Sequence, residues 1–234
     1  MPLWTYDRRS RRYRVTPEGA AELGHRPGTF ISERRLVGLR NAYIDGAKAE
    51  TNALAGQVAR GEISVQQWVY GMRQQIRENF IAEYTLAHGG RNTMTPADWG
   101  RIGQRVQVQY RYLDSFAADI ASGRYSEAQI AARARMYVEA SSQAFEQARV
   151  LARGMPELPA YPGDGSTQCL SNCACWWSIR ENDTEWLCTW RLSPVENCED
   201  CLQRSRAWSP LRLPKSQYVT RASLGVALEA LVNG

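Results

Sequence analysis

The residue types able to do chemistry are concentrated in one part of this chain. Cys169, Cys173 and Cys175 fall within CLSNCAC, Cys198 and Cys201 within NCEDC, and Cys188 lies between the two groups; no cysteine precedes position 169. Thiolates carried on two short loops suit Zn2+, which takes sulfur ligands in a tetrahedron and stabilises modules too small for a sufficient core. The spacing gives Cys169, Cys198, Cys201 and one of Cys173 or Cys175 as ligands. Strand alternation would turn Cys173 and Cys175 to one side, and Cys175 is preferred as the nearer to the hairpin base. Cys188, among tryptophans, reads as a small buried apolar residue. Disulfides formed in an oxidising medium and reduced packing cysteines are the other readings. A thioredoxin-like redox role lacks its βαβ setting.

The elements around these cysteines follow from alternation and punctuation. WWSIRENDTEWLCTWRL alternates as a β-hairpin with ENDT at its tip, placing one cysteine cluster before the hairpin and the Cys-x-x-Cys after it, so that both meet at its open end. All six cysteines and five of the eight tryptophans lie between 169 and 208. Upstream, RGMPELPAYPGDGS carries Pro156, Pro159 and Pro162 with three glycines, which forbids a continuing helix.

Before that boundary the chain reads as long helices, over roughly 32–59, 64–87, 96–122 and 126–153. ARGEISVQQW and ASGRYSEAQI share a corner pattern. Gly61 and Gly123 end one helix in the left-handed conformation, and Ser64 and Ser126 cap the next with Gln67 and Gln129 closing capping boxes. Thr95, Pro96 and Asp98 mark a third helix start. Trp68, Met72, Ile76, Phe80 and Tyr84 recur at helical spacing, as do Ile130, Ala134, Tyr137, Val138 and Phe145; both stripes read as core. The expected fold is mainly α: helical hairpins or a bundle, then a small zinc-ribbon-like β-hairpin module, then a short C-terminal helix. Its segments are 1–31, a basic extended arm; 32–154, the helical domain; 155–165, a Pro/Gly linker; 166–213, the Cys/Trp module; and 214–234, a C-terminal helix or tail.

Charge and missing motifs narrow the function. The net charge is +5, and all of the excess sits in the first 40 residues, with nine Arg against four acids. Arg8, Arg9, Arg11, Arg12 and Arg14 surround Tyr13 in a stretch read as too charged to fold alone. It is a solvated tail, a dock for a partner protein, or a phosphate-binding arm on DNA; as a dock, its removal would leave the helices folded. Only His25 and His88 occur, so Ser/His/Asp and Cys/His catalysis lack candidates, and neither a phosphate loop nor a His-Glu-x-x-His pattern is present. The expectation is a non-enzyme with no small-molecule substrate. No apolar run reaches the ~20 residues of a membrane span, and no signal-peptide core opens the sequence, which predicts assembly in a reducing cytoplasm.

The chain resembles the phage head-morphogenesis, or minor head protein, family. The stretch LSNCAC, through Asn172, Cys173 and Cys175, is similar to that family's His-Pro-Asn-Cys-Arg-Cys segment, which partners a Cys-x-x-Cys. YDRRSRRYRVTPEG…GTFISERR resembles the openings of phage structural proteins through Arg12, Tyr13, Arg14, Gly28, Phe30 and Ser32, and RARMYVEASSQAFEQAR resembles the helix before the module. The likeness is most specific over 165–213. There the family's His is absent, with Cys169 nearby, Ala174 replaces the usual Arg, and the Cys-x-x-Cys follows rather than precedes. The resemblance implies a low-copy structural protein of a tailed-phage head, bound to the portal or the major capsid protein and located in the virion after assembly in the host cytoplasm. A zinc-containing nucleic-acid-binding protein and a capsid-binding connector or decoration protein are the competing expectations.

Overall fold

The computed structural model describes residues 3–7 and 9–218. The basic segment is a folded sheet rather than an extended arm. β1 (Trp4–Asp7), β2 (Arg12–Val15) and β3 (Phe30–Ile31) pair antiparallel in that order, and α1 (Pro17–Leu23) lies between β2 and β3. In β2, Arg12 and Arg14 face out while Tyr13 and Val15 face in. Trp4, Tyr13, Val15 and Ile31 are buried in the main core. Counting charges over the whole segment concealed this two-residue alternation, which is the quantity that decides a strand. Leu3 N donates to Gly89 O at 2.6 Å and Trp4 Nε1 to Leu86 O at 3.1 Å, seating the sheet on a helix end. Gly89 is required there: its φ is +94°, and a Cβ would lie 1.9 Å from the Trp4 carbonyl oxygen.

Four helical rods follow: α2 (Glu33–Ala59), α3 (Val65–His88), α4 (Pro96–Ala121), and a broken fourth made of α5 (Glu127–Ala140) and α6 (Ser142–Ala152). α3 is central, packed against α2, α4 and α6, while α5 lies along α2. Its stripe of Trp68, Met72, Ile76, Phe80 and Tyr84 is fully buried, as the periodicity predicts. The two expected corners are present. Gly61 and Gly123 both have φ +71°, and Ser64 with Gln67 and Ser126 with Gln129 form complete capping boxes, as do Thr95 and Asp98.

The fourth rod differs from the uninterrupted helix expected over 126–153. Ser141 Oγ donates to Val138 O at 2.6 Å and to Glu83 Oε1 at 3.4 Å. Back-bonding of this kind bends a helix, and the bend turns α6 onto α3. The segment 155–165 is also not a free linker, since Met155, Leu158 and Tyr161 are buried in a second core with the Cys/Trp module. Proline stops a helix without preventing apolar side chains from packing. Residues 216–218 are helical, and the rest of the expected C-terminal helix lies outside the described residues.

Candidate metal centre

The module is a three-stranded antiparallel sheet ordered β4 (Trp176–Glu181), β5 (Glu185–Arg191), β6 (Leu211–Pro214), with α7 (Glu199–Ala207) between β5 and β6. Asn182 makes the hairpin turn, its Oδ1 accepting from Thr184 N at 2.9 Å and Glu185 N at 2.8 Å. Four tryptophans fill the small core, Trp177, Trp186 and Trp190 buried and Trp208 partly so. Trp177 meets Trp190 edge-on at 5.2 Å and stacks on Trp208 at 5.3 Å, and Trp177 Nε1 donates to Ala160 O. The module is joined to the bundle by Arg149, whose Nη2 donates to Trp177 O at 2.6 Å and to Glu146 Oε2 at 2.9 Å.

The two cysteine groups converge at the open end of this hairpin. A 3-10 turn over Leu170–Asn172, entered through Leu170 at φ +49°, carries the chain from Cys169 to Cys173. Opposite it, Cys198 is the N-cap of α7 and Cys201 lies in that helix's first turn. The Sγ atoms of Cys173 and Cys201 are 3.5 Å apart, those of Cys169 and Cys201 3.8 Å, and those of Cys198 and Cys169 3.6 Å. Cys169, Cys173 and Cys201 form a mutually close group able to hold a metal ion, and Cys198 lies outside that group, against Cys169. All six cysteines are free thiols. Sulfurs bound tetrahedrally to Zn2+ at about 2.3 Å have edges of about 3.8 Å, and the three separations lie close to that length.

The electrostatics suit a cation. Burial pushes the Cys169 thiol up to about 11. The Cys201 thiol rises through burial and the neighbouring Cys173, and the Cys173 thiol through its hydrogen bond to Cys175 and burial. Crowded thiols resist accumulating negative charge, and a divalent ion removes that resistance. Cys198 goes the other way: against some burial, bonds from the backbone N–H groups of Cys201 and Cys169 hold it below the usual thiol range.

Of the two alternatives, Cys173 lies in the close group and Cys175 stands next to it. Cys175 Sγ donates to Asn197 Oδ1 at 3.4 Å. The turn at 170–172 swings Cys173 toward α7, which strand alternation does not anticipate. Cys188 is fully buried in β5, and burial pushes its thiol up to about 12. The bracing residues were missed: Gln168 N donates to Asp200 Oδ2 at 2.8 Å, and Arg204 Nη2 to Ser166 O at 2.7 Å, docking the first cysteine loop onto α7. Acids at the start and arginines at the end of EDCLQRSRA are the helix signal that marks α7.

The arginines do not join the cysteines. Arg9 is an exposed turn residue, Arg11 pairs with Asp183 at the hairpin tip, and Arg12 and Arg14 flank the exposed Phe30 ring at 5.7 and 5.0 Å. Arg14 also pairs with Asp7, and Arg8 lies outside the described residues. Comparison of the chain with protein-family models, curated proteins and solved structures gives no match.

Proposed function

We propose that the chain is a structural, non-catalytic protein whose Cys/Trp module is held closed by one Zn2+ on Cys169, Cys173, Cys198 and Cys201. The observation carrying this reading is the set of sulfur separations at 3.5, 3.6 and 3.8 Å. An all-thiolate tetrahedron suits Zn2+ and leaves no coordination position for water or substrate. Metal analysis of protein purified under reducing, chelator-free conditions tests it. About one zinc per chain is expected. Cys201→Ser loses the metal and the near-ultraviolet signal of the tryptophan cluster while far-ultraviolet helicity persists, and Cys188→Ala retains the metal. Less than about a tenth of a zinc per chain refutes the site.

The biological setting follows from the resemblance over 165–213: a minor head protein of a tailed bacteriophage, bound to the portal or the shell during assembly. Its support is the likeness of LSNCAC and of the opening segment to that family, together with a site suited to bracing rather than turnover. Mass spectrometry of purified heads should find the chain at low copy, and its absence from them would reject this setting. A second reading, contact with DNA, is favoured by the Arg12–Phe30–Arg14 stack on the outer sheet face. Binding to duplex DNA that weakens steeply with salt supports it, and none at low salt removes it.

A further inference from the structure

α4 and α5 are bound together near their shared corner by Arg133 with Asp119. Farther along, a cavity of about 240 Å3 lies between them, closed over by residues from 163–171. Its walls include Val108, Tyr112, Met136 and Leu170. Two polar groups also line it. Gln109 and Tyr137 are 7% and 5% exposed, and neither the Gln109 amide nor the Tyr137 hydroxyl has a hydrogen-bond partner among the described residues. Their polar atoms are not sealed inside the protein, and both residues border the same space, where an occupant could meet them.

Arg105 supplies the charge. Its Nε donates to Gln147 Oε1 at 3.2 Å and its Nη1 to the Gln143 side-chain oxygen, both neutral acceptors, and it makes no ion pair among the described residues. Burial lowers its pKa, and Asp164 is the strongest of the opposing groups that raise it, ahead of Glu157. The Asp164 carboxylate is already engaged, accepting from Tyr161 N at 2.7 Å and Ser166 N at 2.9 Å. A largely buried guanidinium whose hydrogen bonds go only to amide oxygens, and which lies over the Tyr161 ring at 5.9 Å, favours an anion. With a single unpaired cation and Asp164 in the same wall, the site suits a monoanion rather than a phosphate.

We propose that this cavity binds a small monocarboxylate with an apolar body, its head on Arg105, Gln109 and Tyr137 and its body against Val108, Met136 and Leu170. The volume falls just below the roughly 300–1,000 Å3 of sites for drug-sized ligands, which limits the occupant to a short molecule or one terminal residue of a polypeptide. Calorimetric titration of the full zinc-loaded chain with hexanoate tests this, with 1-hexanol as the body without the charge and acetate as the head without the body. Hexanoate should bind at least about tenfold more tightly than either control. Gln109→Leu and Arg105→Gln should each weaken it about tenfold with far-ultraviolet spectrum and zinc content unchanged, and Arg105→Lys should retain part of the affinity. A blocked dipeptide ending in Leu with a free carboxylate separates the sources: tighter binding than hexanoate identifies a polypeptide end, weaker binding a free acid. Equal binding of hexanol and hexanoate, no binding up to about 20 mM, or hexanoate affinity unaltered in both neutral variants overturns the proposal.

Discussion

The pair between Arg40 on α2 and Glu83 on α3 gives the sharpest test of how the bundle is held. Glu83 has a fully buried side chain and accepts from Arg40 Nε at 2.6 Å and Nη2 at 2.8 Å; Arg40 is 21% exposed. Arg40→Met keeps most of the aliphatic stem and strands a carboxylate in the core. Breaking a buried pair costs about 3–5 kcal/mol, and the lost stacking of the guanidinium over Phe145 at 5.1 Å adds about 0.5–1 kcal/mol. Partial exposure of Arg40 trims the first figure, so about 4 kcal/mol is expected, or a fall in Tm of about 10 °C for a chain of this size. Burial pushes the Glu83 carboxyl up, against the pull of Arg40. Without Arg40 the folded form binds that proton more readily than the unfolded chain, so the deficit should shrink as pH falls toward the ordinary carboxylate range. Adding Glu83→Met should recover most of the loss, because Ser141 Oγ keeps its bond to Val138 O. Urea unfolding followed by far-ultraviolet circular dichroism measures all three. A cost below about 1 kcal/mol for Arg40→Met, or a double variant no more stable than the single, would refute the reasoning.

Two further outcomes are expected. Ser126→Ala should cost about 1 kcal/mol through the lost cap, and Gly123→Val more, because φ is +71° there; thermal melts of the two variants check the order. Deleting residues 1–31 should lower Tm and expose core surface to a hydrophobic dye, since Trp4, Tyr13, Val15 and Ile31 belong to the bundle core; an unchanged melt would restore the reading of a separate arm.

Features set by neighbours in sequence were legible. The corners at Gly61–Ser64 and Gly123–Ser126 depend on a left-handed glycine and a hydroxyl three residues before a glutamine, chemistry contained in ten residues. The hairpin followed from alternation, and the convergence of the cysteine groups followed from the hairpin. What escaped depends on distant partners or on one torsion. The break at Ser141 answers to a carboxylate 58 positions earlier. The choice of Cys173 over Cys175 turns on Leu170 taking a positive φ. The N-terminal sheet was hidden because its apolar residues are few, yet Trp4, Tyr13, Val15 and Ile31 are placed inward and join the bundle core. The cavity beside Gln109 is invisible in sequence, since a glutamine on a helical stripe gives no sign of whether a partner awaits it.

The ties between the N-terminal sheet and the hairpin tip have a consequence for how the molecule is made. Tyr6 Oη donates to Glu181 Oε2 at 2.9 Å, and Arg11 pairs with Asp183, across 175 and 172 positions of chain. At about 5–20 residues per second on a ribosome, Tyr6 emerges about 10–35 s before the carboxylate that accepts its hydrogen bond. Through that interval the first sheet can settle on the α3 terminus but has no hairpin to meet. The contacts that join the two sheets therefore form late, only after the hairpin tip at 181–183 has left the tunnel.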